Sequence, residues 1–291
     1  MDGIVVFGAG GRAGRAVCAE ALRRGLTVVG AVRDPARHPG LGESGVTVVR
    51  GDVTAPQGVL AGRAGRWGVV HAAASFEPDF FARAVDALLA AEGVSRLVAV
   101  GLFADLLGPD GRPVMEDPAA FPPEHLPFAR AHTAGLTRLR TAGGGMDWAV
   151  LTPGGELTEG PAEGRYVIGG DQVPAGAPGL TYGDLAAALV DEVVAPTVRG
   201  GRGAVWVPVG RLSDGVGRAR AWFAVAARAE SDPARCRTRA CRTPHADPPP
   251  APAPAPAPPP SLPATVCRRC WPGITCGDGA GGAGSRRRQG G

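Results

Sequence analysis

The stretch GIVVFGAGGRAGRAVCAEALRR, residues 3–24, begins with a short apolar run, passes through closely spaced glycines and ends in an amphipathic segment. A continuous apolar run of this length is typical of a strand that is buried on both faces of a parallel sheet. The apolar positions after Arg12 recur at helical spacing. The stretch therefore predicts a strand, a tight turn and a helix, the first unit of an alternating α/β fold.

Further strand-like runs follow along the chain, and helical patterns separate them. The predicted strands cover residues 26–32, 46–50, 68–74, 96–101 and 147–152, and the clearest helices cover 81–93 and 128–143. This alternation predicts right-handed crossovers and a Rossmann-type, doubly wound parallel sheet. Residues 152–208, with an extended segment at 164–170, a helix at 182–194 and a last strand at 204–208, are expected to form a small C-terminal cap on the substrate side.

The composition changes beyond Arg211. Residues 1–211 contain 19 arginines and 22 acidic residues, a net charge of −3, whereas residues 212–291 contain 12 arginines and 5 acidic residues, a net charge of +7. The Pro/Ala repeat at 248–263 can form neither a helix nor the interior of a sheet. We therefore predict one folded domain over residues 1–211 and a disordered tail, rich in Pro, Gly and Arg, over residues 212–291.

The absence of lysine excludes several kinds of chemistry. All 31 basic residues are arginines, so neither a Walker-type phosphate loop nor a Schiff-base mechanism is available. No apolar run approaches the roughly 20 residues that cross a bilayer, and no charged leader precedes the first strand. A cytoplasmic protein is expected. Because the folded part is mildly acidic, no nucleic-acid partner is expected for it, and the isolated Cys267-Arg-Arg-Cys270 does not predict a metal site.

The glycine turn at the end of the first strand predicts a dinucleotide site. Gly8 would permit the sharp turn, Gly10 or Gly11 would let the backbone approach a pyrophosphate, and Gly14 would let the helix pack closely on the sheet. The pyrophosphate would meet the free N–H groups at the start of the helix, at Arg12 and Ala13. The alternative is an ordinary glycine-rich loop in a chain with 46 glycines.

The second strand runs into Arg33, at the place where an NAD-preferring site carries an acidic residue. A guanidinium can bind a 2′-phosphate through two hydrogen bonds, so Arg33, helped by Arg12, favours NADP over NAD. Asp34 follows one residue later. A solvated surface arginine remains the alternative for Arg33.

Small and acidic residues after the third and fourth strands suggest the adenine side of the site. Asp52 could accept a hydrogen bond from the adenine amino group while Val53 packs on the ring, although Asp52 could equally cap the next helix. Ala73, in the alanine run after the fourth strand, provides the low bulk that a passing dinucleotide needs. Simple packing would explain that alanine as well.

Several motifs together resemble one family. They are GAGGRAG (8–14), AVRDP (31–35), GDVT (51–54), MDWAVLTPGGE (146–156), GRYVIGGDQ (164–172) and LTYGDLAAALVDEV (180–193). Over residues 1 to about 210 the chain resembles an atypical short-chain dehydrogenase/reductase of the NmrA-like NAD(P)H-binding group, similar to flavin and biliverdin-IXβ reductases. It departs from the wider superfamily in lacking the Tyr-x-x-x-Lys pair, because Tyr166 and Tyr182 are followed at that spacing by Gly170 and Ala186.

The resemblance implies a function and further site residues. It implies that His132 lies near the nicotinamide as a proton donor or substrate ligand, and that the segment containing Pro153 borders the same ring; the alternative for His132 is a helix histidine without a catalytic role. The implied function is an NADPH-dependent reductase for a small conjugated acceptor such as a flavin or quinone. A non-catalytic NADP sensor that acts through a protein partner is the first alternative, and an epimerase or dehydratase is the second.

Overall fold

The computed structural model describes residues 1–63, 66–176 and 179–208, and the predictions for the tail and for Cys267 and Cys270 lie outside these residues. The strands are β1 (Gly3–Phe7), β2 (Thr27–Val32), β3 (Thr47–Arg50), β4 (Trp67–His71), β5 (Val94–Val100), β6 (Trp148–Pro153), β7 (Leu157–Thr158), β8 (Val167–Ile168), β9 (Leu180–Thr181) and β10 (Gly201–Trp206). The α-helices are α1 (Arg12–Arg23), α2 (Pro39–Glu43), α3 (Gln57–Leu60), α4 (Phe80–Leu89), α5 (Leu126–Ala142) and α6 (Tyr182–Val194). Strands and helices thus alternate as predicted, and α6 has the predicted bounds.

In the described part of the chain, eight strands form one sheet in the order β3-β2-β1-β4-β5-β6-β10-β8. Every pair in it is parallel except β10 with β8, which is antiparallel. The chain builds outward from β1 to β2 and β3, and then returns to add β4 on the other side of β1. This reversal is a topological switch point, and it leaves a crevice at the carboxyl ends of β1 and β4. The predicted doubly wound Rossmann-type sheet is confirmed.

Both faces of the sheet are covered, which explains the uninterrupted apolar runs. In β1, Ile4 and Val6 belong to the apolar cluster shared with α1 and α6, whereas Val5 and Phe7 belong to the cluster shared with α4 and α5. Successive strand residues point to opposite faces, so a strand between two helical layers needs apolar residues at every position. Burial of each such side chain stabilises the fold by about 1.5–3 kcal/mol.

The C-terminal segment is divided between the main sheet and the cleft side. β10 pairs in parallel with β6, and β8 pairs with β10, so both extend the main sheet instead of standing over it. β7 and β9 form a separate two-stranded sheet. Two residues of the predicted cap border the crevice, namely Leu157 in β7 and Tyr182 at the start of α6.

Candidate functional site

A cleft of about 440 Å³ lies at the carboxyl ends of β1 to β5. This volume is within the range of about 300–1,000 Å³ that is usual for small-molecule sites. Ten of the twelve predicted site residues line it, namely Gly8, Gly10, Gly11, Arg12, Ala13, Arg33, Asp52, Val53, Ala73 and His132. Gly14 and Pro153 are not part of its lining. The cleft coincides with the switch point of the sheet, where ligands bind in folds of this topology.

The glycine turn brings the backbone of α1 close to the sheet. Gly8 has a φ of +82°, and a Cβ atom there would lie 2.5 Å from the amide nitrogen of Ala73. A Cβ atom on Gly14 would overlap the carbonyl oxygen of Gly8. Both positions therefore require glycine, the first for the backbone turn and the second for the close approach of α1 to that turn.

The start of α1 is open to an anionic group. Its N-cap residue, Gly11, has no side chain to bond the free amides, and the first turn contains no acidic residue. The N–H groups of this turn therefore lack intrahelical acceptors and carry the positive end of the helix dipole. Since Gly11, Arg12 and Ala13 also line the cleft, the residues present fit a pyrophosphate.

The end of β2 presents cations to the cleft and turns its acidic residue aside. Arg33 is exposed and lines the cleft, as does Arg37 four residues later. Asp34 accepts a hydrogen bond of 3.2 Å from the amide of Ala36 and lies 4.0 Å from Arg50. Asp34 is not part of the cleft lining, because it caps the short 3₁₀ helix Pro35–Arg37. An arginine thus occupies the position where a carboxylate would select NAD.

His38 closes this side of the glycine turn. A Cβ atom on Gly10 would meet the His38 ring, and Arg15 lies 3.2 Å from the Nδ1 atom of that ring. Burial and the adjacent guanidiniums of Arg15 and Arg37 lower the pKa of His38. His38 lines the cleft as a neutral side chain near neutral pH.

Arg12 points away from the end of β2. Its guanidinium lies 3.5 Å from Glu159 and 5.4 Å from the ring centroid of Tyr182. Burial raises the pKa of the Tyr182 phenol, against the opposing effect of Arg12. Glu159 follows β7 and Tyr182 begins α6, so the Arg12 guanidinium lies on the side of the cleft that these elements form.

Asp52 serves a local turn while it lines the cleft. One carboxylate oxygen accepts hydrogen bonds of 2.8 Å from both the amide and the hydroxyl of Thr54. The other oxygen makes no hydrogen bond within the described residues. Val53 is buried beside it and also lines the cleft. The alternative that Asp52 caps the next helix is wrong, because α3 has Pro56 at its N-cap and no side-chain cap. Asp52 instead closes a turn with Thr54 through one oxygen, which leaves the other oxygen for a bound molecule.

The far end of the cleft is aromatic and contains one imidazole. Phe81 packs on His132 with 4.3 Å between ring centroids, and Phe128 packs edge-on against Phe81 at 5.5 Å. The Nδ1 atom of His132 lies 3.4 Å from the buried carboxylate of Asp105. Behind this group, burial and the proximity of His132 lower the pKa of His71 to about 4. This end can hold a flat molecule and exchange a proton with it.

Pro153, a predicted site residue, and Tyr166, one of the two tyrosines of the chain, both lie outside the lining of the cleft. Pro153 is buried at the end of β6, where it pairs with Val205 of β10. Tyr166 donates its hydroxyl to Asp191, and burial together with this carboxylate raises its pKa. Tyr166 therefore holds α6 beside β8, and its phenol is unsuited to proton donation at neutral pH.

Sequence reasoning did not single out Arg37, His38, Asp105 or the phenylalanines of the cleft. Arg37 and His38 could have been found, because they follow the end of β2 within one short turn. No sequence pattern indicated that Asp105 belongs to the site, because it lies in a 3₁₀ turn between apolar residues, 27 positions before His132.

Residues 8–196 match the family model for NAD(P)H-binding domains. The chain belongs to this NAD(P)H-binding family. A nicotinamide dinucleotide is therefore the cofactor of the domain, and the resemblance to the NmrA-like group of atypical short-chain dehydrogenases/reductases is confirmed. No protein of curated function matches the chain by sequence.

Solved structures support the same fold. A protein of Bacteroides thetaiotaomicron, provisionally named an epimerase, is 26% identical, with a TM-score of 0.63 over 72% of this chain and 99% of that one. A provisionally named NADH-flavin reductase of Streptococcus pneumoniae is 23% identical, with a TM-score of 0.60 over 72% and 100%. The anaerobillin reductase ChuY of Escherichia coli is 24% identical, with a TM-score of 0.56 over 72% and 98%. The last two likenesses establish the fold alone.

Neither a membrane span nor a metal centre is found among the described residues. No helix there combines the length and the apolar character that crossing a bilayer requires. No group of three or more His, Cys, Asp or Glu side chains there could hold a metal ion.

Proposed function

We propose that the protein is an NADPH-dependent reductase that transfers a hydride to a small conjugated acceptor such as a flavin or a quinone. The observation that carries this proposal is the continuity of the cleft, which runs from the glycine turn to the aromatic end at Phe81, Phe128 and His132. An extended dinucleotide bound at the turn would bring its nicotinamide toward this end. Aromatic side chains there favour a planar acceptor, since stacked or edge-to-face rings attract one another.

Residues of the turn and of the first three strand ends would bind the cofactor. The N–H groups of Arg12 and Ala13 would hold the pyrophosphate, and Asp52 with Val53 would receive the adenine. Arg33 and Arg37 would pair with the 2′-phosphate, because charge-assisted hydrogen bonds from guanidinium to phosphate are strong and geometrically specific. Ala73, which approaches Gly8 closely, leaves space for the chain of the dinucleotide. NADP is therefore the proposed cofactor, with NAD as the weaker ligand.

Hydride transfer between a nicotinamide and a flavin needs little acid catalysis and depends chiefly on alignment, so the missing Tyr-x-x-x-Lys pair does not exclude a reductase. The cofactor supplies the hydride when bound. The side chains of the cleft orient both rings and exclude water. Epimerases and dehydratases rely more directly on a proton-transferring tyrosine, and the two tyrosines of this chain are engaged by Asp191 and Arg12.

The second candidate is a cofactor-binding sensor that reports the NADP redox state to a protein partner. The chain's lack of any lysine favours it, because the catalytic pair of the superfamily cannot form. A sensor would bind NADP and leave every acceptor unreduced.

The test uses the full-length protein, NADPH and a panel of flavins, quinones and unsaturated carbonyl compounds. Acceptor-dependent loss of the NADPH absorbance supports the reductase, and tight binding of NADPH without turnover supports the sensor. Thermal shifts with NADP and NAD give a second measurement, since a ligand that binds only the folded state raises its apparent stability. A larger shift with NAD would contradict the proposed cofactor preference.

A further inference from the structure

A buried carboxylate lies directly behind the imidazole of the cleft. Asp105 ends the 3₁₀ turn Phe103–Asp105 after β5, and its side chain is only 3% exposed. One of its carboxylate oxygens accepts a hydrogen bond from the hydroxyl of Thr133. The other lies 3.4 Å from the Nδ1 atom of His132. A buried carboxylate is costly unless it is paired, so this one has a defined role in the site.

The ring of His132 has one nitrogen toward Asp105 and the other toward the cleft. Nδ1 is buried and makes no aligned hydrogen bond with any described residue. The contact with Phe81 restricts the ring, and His132 lines the cleft with 14% of its side chain exposed. The nitrogen left for a bound molecule is therefore Nε2.

Within the part of the chain that the structure describes, two other titratable side chains approach this pair. His71 approaches from β4, and with its pKa lowered to about 4 it is neutral at neutral pH. Arg202 approaches from β10 and donates a hydrogen bond of 2.7 Å to the backbone carbonyl of Asp105. Asp105 is thus the carboxylate that faces His132, and Arg202 fixes the backbone that carries it.

We propose that Asp105 positions His132 as the proton donor of the cleft, and that the acceptor is a conjugated carbonyl compound, such as a quinone or an enone. This inference rests on the proposed reductase function and narrows its substrate class. The carboxylate would accept the Nδ1–H of the imidazolium, which fixes the ring and leaves Nε2–H directed at the acceptor. The same logic of a buried carboxylate that orients a histidine operates in hydrolase triads.

The proposed step balances in atoms and electrons. A hydride, with its electron pair, passes from NADPH to the electrophilic end of the conjugated system. The displaced π electrons move to the carbonyl oxygen, and that oxygen takes the proton from Nε2 of His132. NADPH is oxidised to NADP⁺, the acceptor gains two electrons, and the neutral imidazole regains a proton from solvent. A flavin spreads the added charge over its ring system and has less need of such a donor, so a dedicated proton donor points to carbonyl acceptors.

Kinetics of three variants of the full-length protein test the positioning role. His132→Gln is expected to lower kcat for a quinone or enone about a hundredfold or more, and Asp105→Asn about tenfold or more, with the KM for NADPH unchanged. In the double variant, Asp105→Asn should cause no further loss, because a positioning residue acts only through the group that it positions. Asp86→Asn is the matched control and should retain the wild-type kcat, because this carboxylate pairs with Arg138 and neither residue lines the cleft.

Nitrogen-15 spectra of the imidazoles give a readout that needs no turnover. With only five histidines in the chain, His132 can be assigned by substitution. Neutral His132 should carry its proton on Nδ1 in the wild type and should lose this preference in Asp105→Asn.

The possible results separate the two proposals. An Nε2–H tautomer in the wild type, or a loss from Asp105→Asn that is equal with and without His132, overturns the positioning role. Reduction of flavins alone overturns the carbonyl acceptor while the reductase stands. If no acceptor is reduced, the reductase and the proton-donor step both fail, whereas the tautomer still reports whether Asp105 orients the ring.

Discussion

The two edges of the parallel sheet use arginine in opposite ways. At the edge formed by the amino ends of its strands, Arg96 of β5 is 2% exposed and fully engaged. It donates hydrogen bonds to the carboxylate of Glu192 at 2.9 Å, to the carbonyls of Glu192 and Val198 at 2.7 Å each, and to Asp147. This cluster ties β5, α6 and the entry to β6 together.

At the edge formed by the carboxyl ends, two arginines and the free amides of a helix lack such partners within the described residues. Arg33 and Arg37 line the cleft, and the guanidinium of neither makes an ion pair or hydrogen bond with another described residue. The first-turn amides of α1 have no side-chain cap. The difference shows that buried, paired polar groups maintain this fold, whereas the exposed guanidiniums of the cleft keep their hydrogen-bonding capacity for the anionic cofactor proposed above.

The largest effect is expected at the engaged arginine. Arg96→Met should lower the free energy of unfolding by about 3–5 kcal/mol, because it leaves the carboxylate of Glu192, itself 1% exposed, without its guanidinium. Urea denaturation monitored by tryptophan fluorescence measures the loss. Arg199→Ala is the control, because Arg199 pairs with Asp147 from a 62% exposed position and its loss should cost less than about 1 kcal/mol. Similar costs for both variants would refute the contrast between the two edges.

A pH dependence of stability is the next largest effect, and it arises behind the cleft. Burial lowers the pKa of His71 from 6.5 to about 4, so the unfolded chain binds a proton there before the folded protein does. Stability should therefore fall as the pH drops from about 6.5 to about 4, by roughly 3 kcal/mol in total, and this contribution should be constant above that window. Urea titrations at several pH values measure it. His71→Leu should remove this part of the slope, and an unchanged slope would contradict the assignment to His71.

The main strands, the glycine turn and the longer helices could be predicted because each depends on residues that are close together in the sequence. Each two-sided strand needs a continuous apolar run, and each glycine of the first turn stands at a fixed distance from the end of β1. The same locality identified α6, where Thr181 caps the helix through the amide of Asp184 and apolar residues follow at helical spacing. These features require no knowledge of how distant segments meet.

The rest depends on contacts between distant segments. β8 has two residues and no recognisable period, and only its partner β10 makes it part of the main sheet. The partners of the Arg12 side chain could not be predicted from the sequence, because Glu159 and Tyr182 are more than 140 positions away along the chain. The pairing of Asp105 with His132 likewise joins a loop without helical or strand periodicity to the middle of α5.

The glycine turn itself allows a more local test. Gly14→Ala should destabilise the protein by about 1–3 kcal/mol and weaken NADP binding, because the new methyl group would overlap the carbonyl of Gly8 and push α1 away from the cleft. Gly58→Ala, in α3, places its methyl where no atom lies within 4 Å and should leave stability unchanged or raised by up to about 1 kcal/mol. Calorimetry of NADP binding and urea denaturation would reveal both effects. Equal stabilities and equal NADP affinities of the two variants would show that α1 tolerates displacement.

The smallest effect is expected from Arg33, an exposed arginine of the cleft whose guanidinium pairs with no other described residue. Arg33→Ala should raise the Kd for NADP about tenfold, or about 1.4 kcal/mol, while the Kd for NAD changes little, because only NADP carries the 2′-phosphate. Arg50→Ala is the control: this arginine is also exposed and lies near the end of β3, but it is not part of the cleft lining. Titration calorimetry with both dinucleotides measures the four affinities. Equal weakening of NADP and NAD by Arg33→Ala would mean that the guanidinium stacks on a ring common to both ligands, and the selection of NADP would then rest on Arg37 alone.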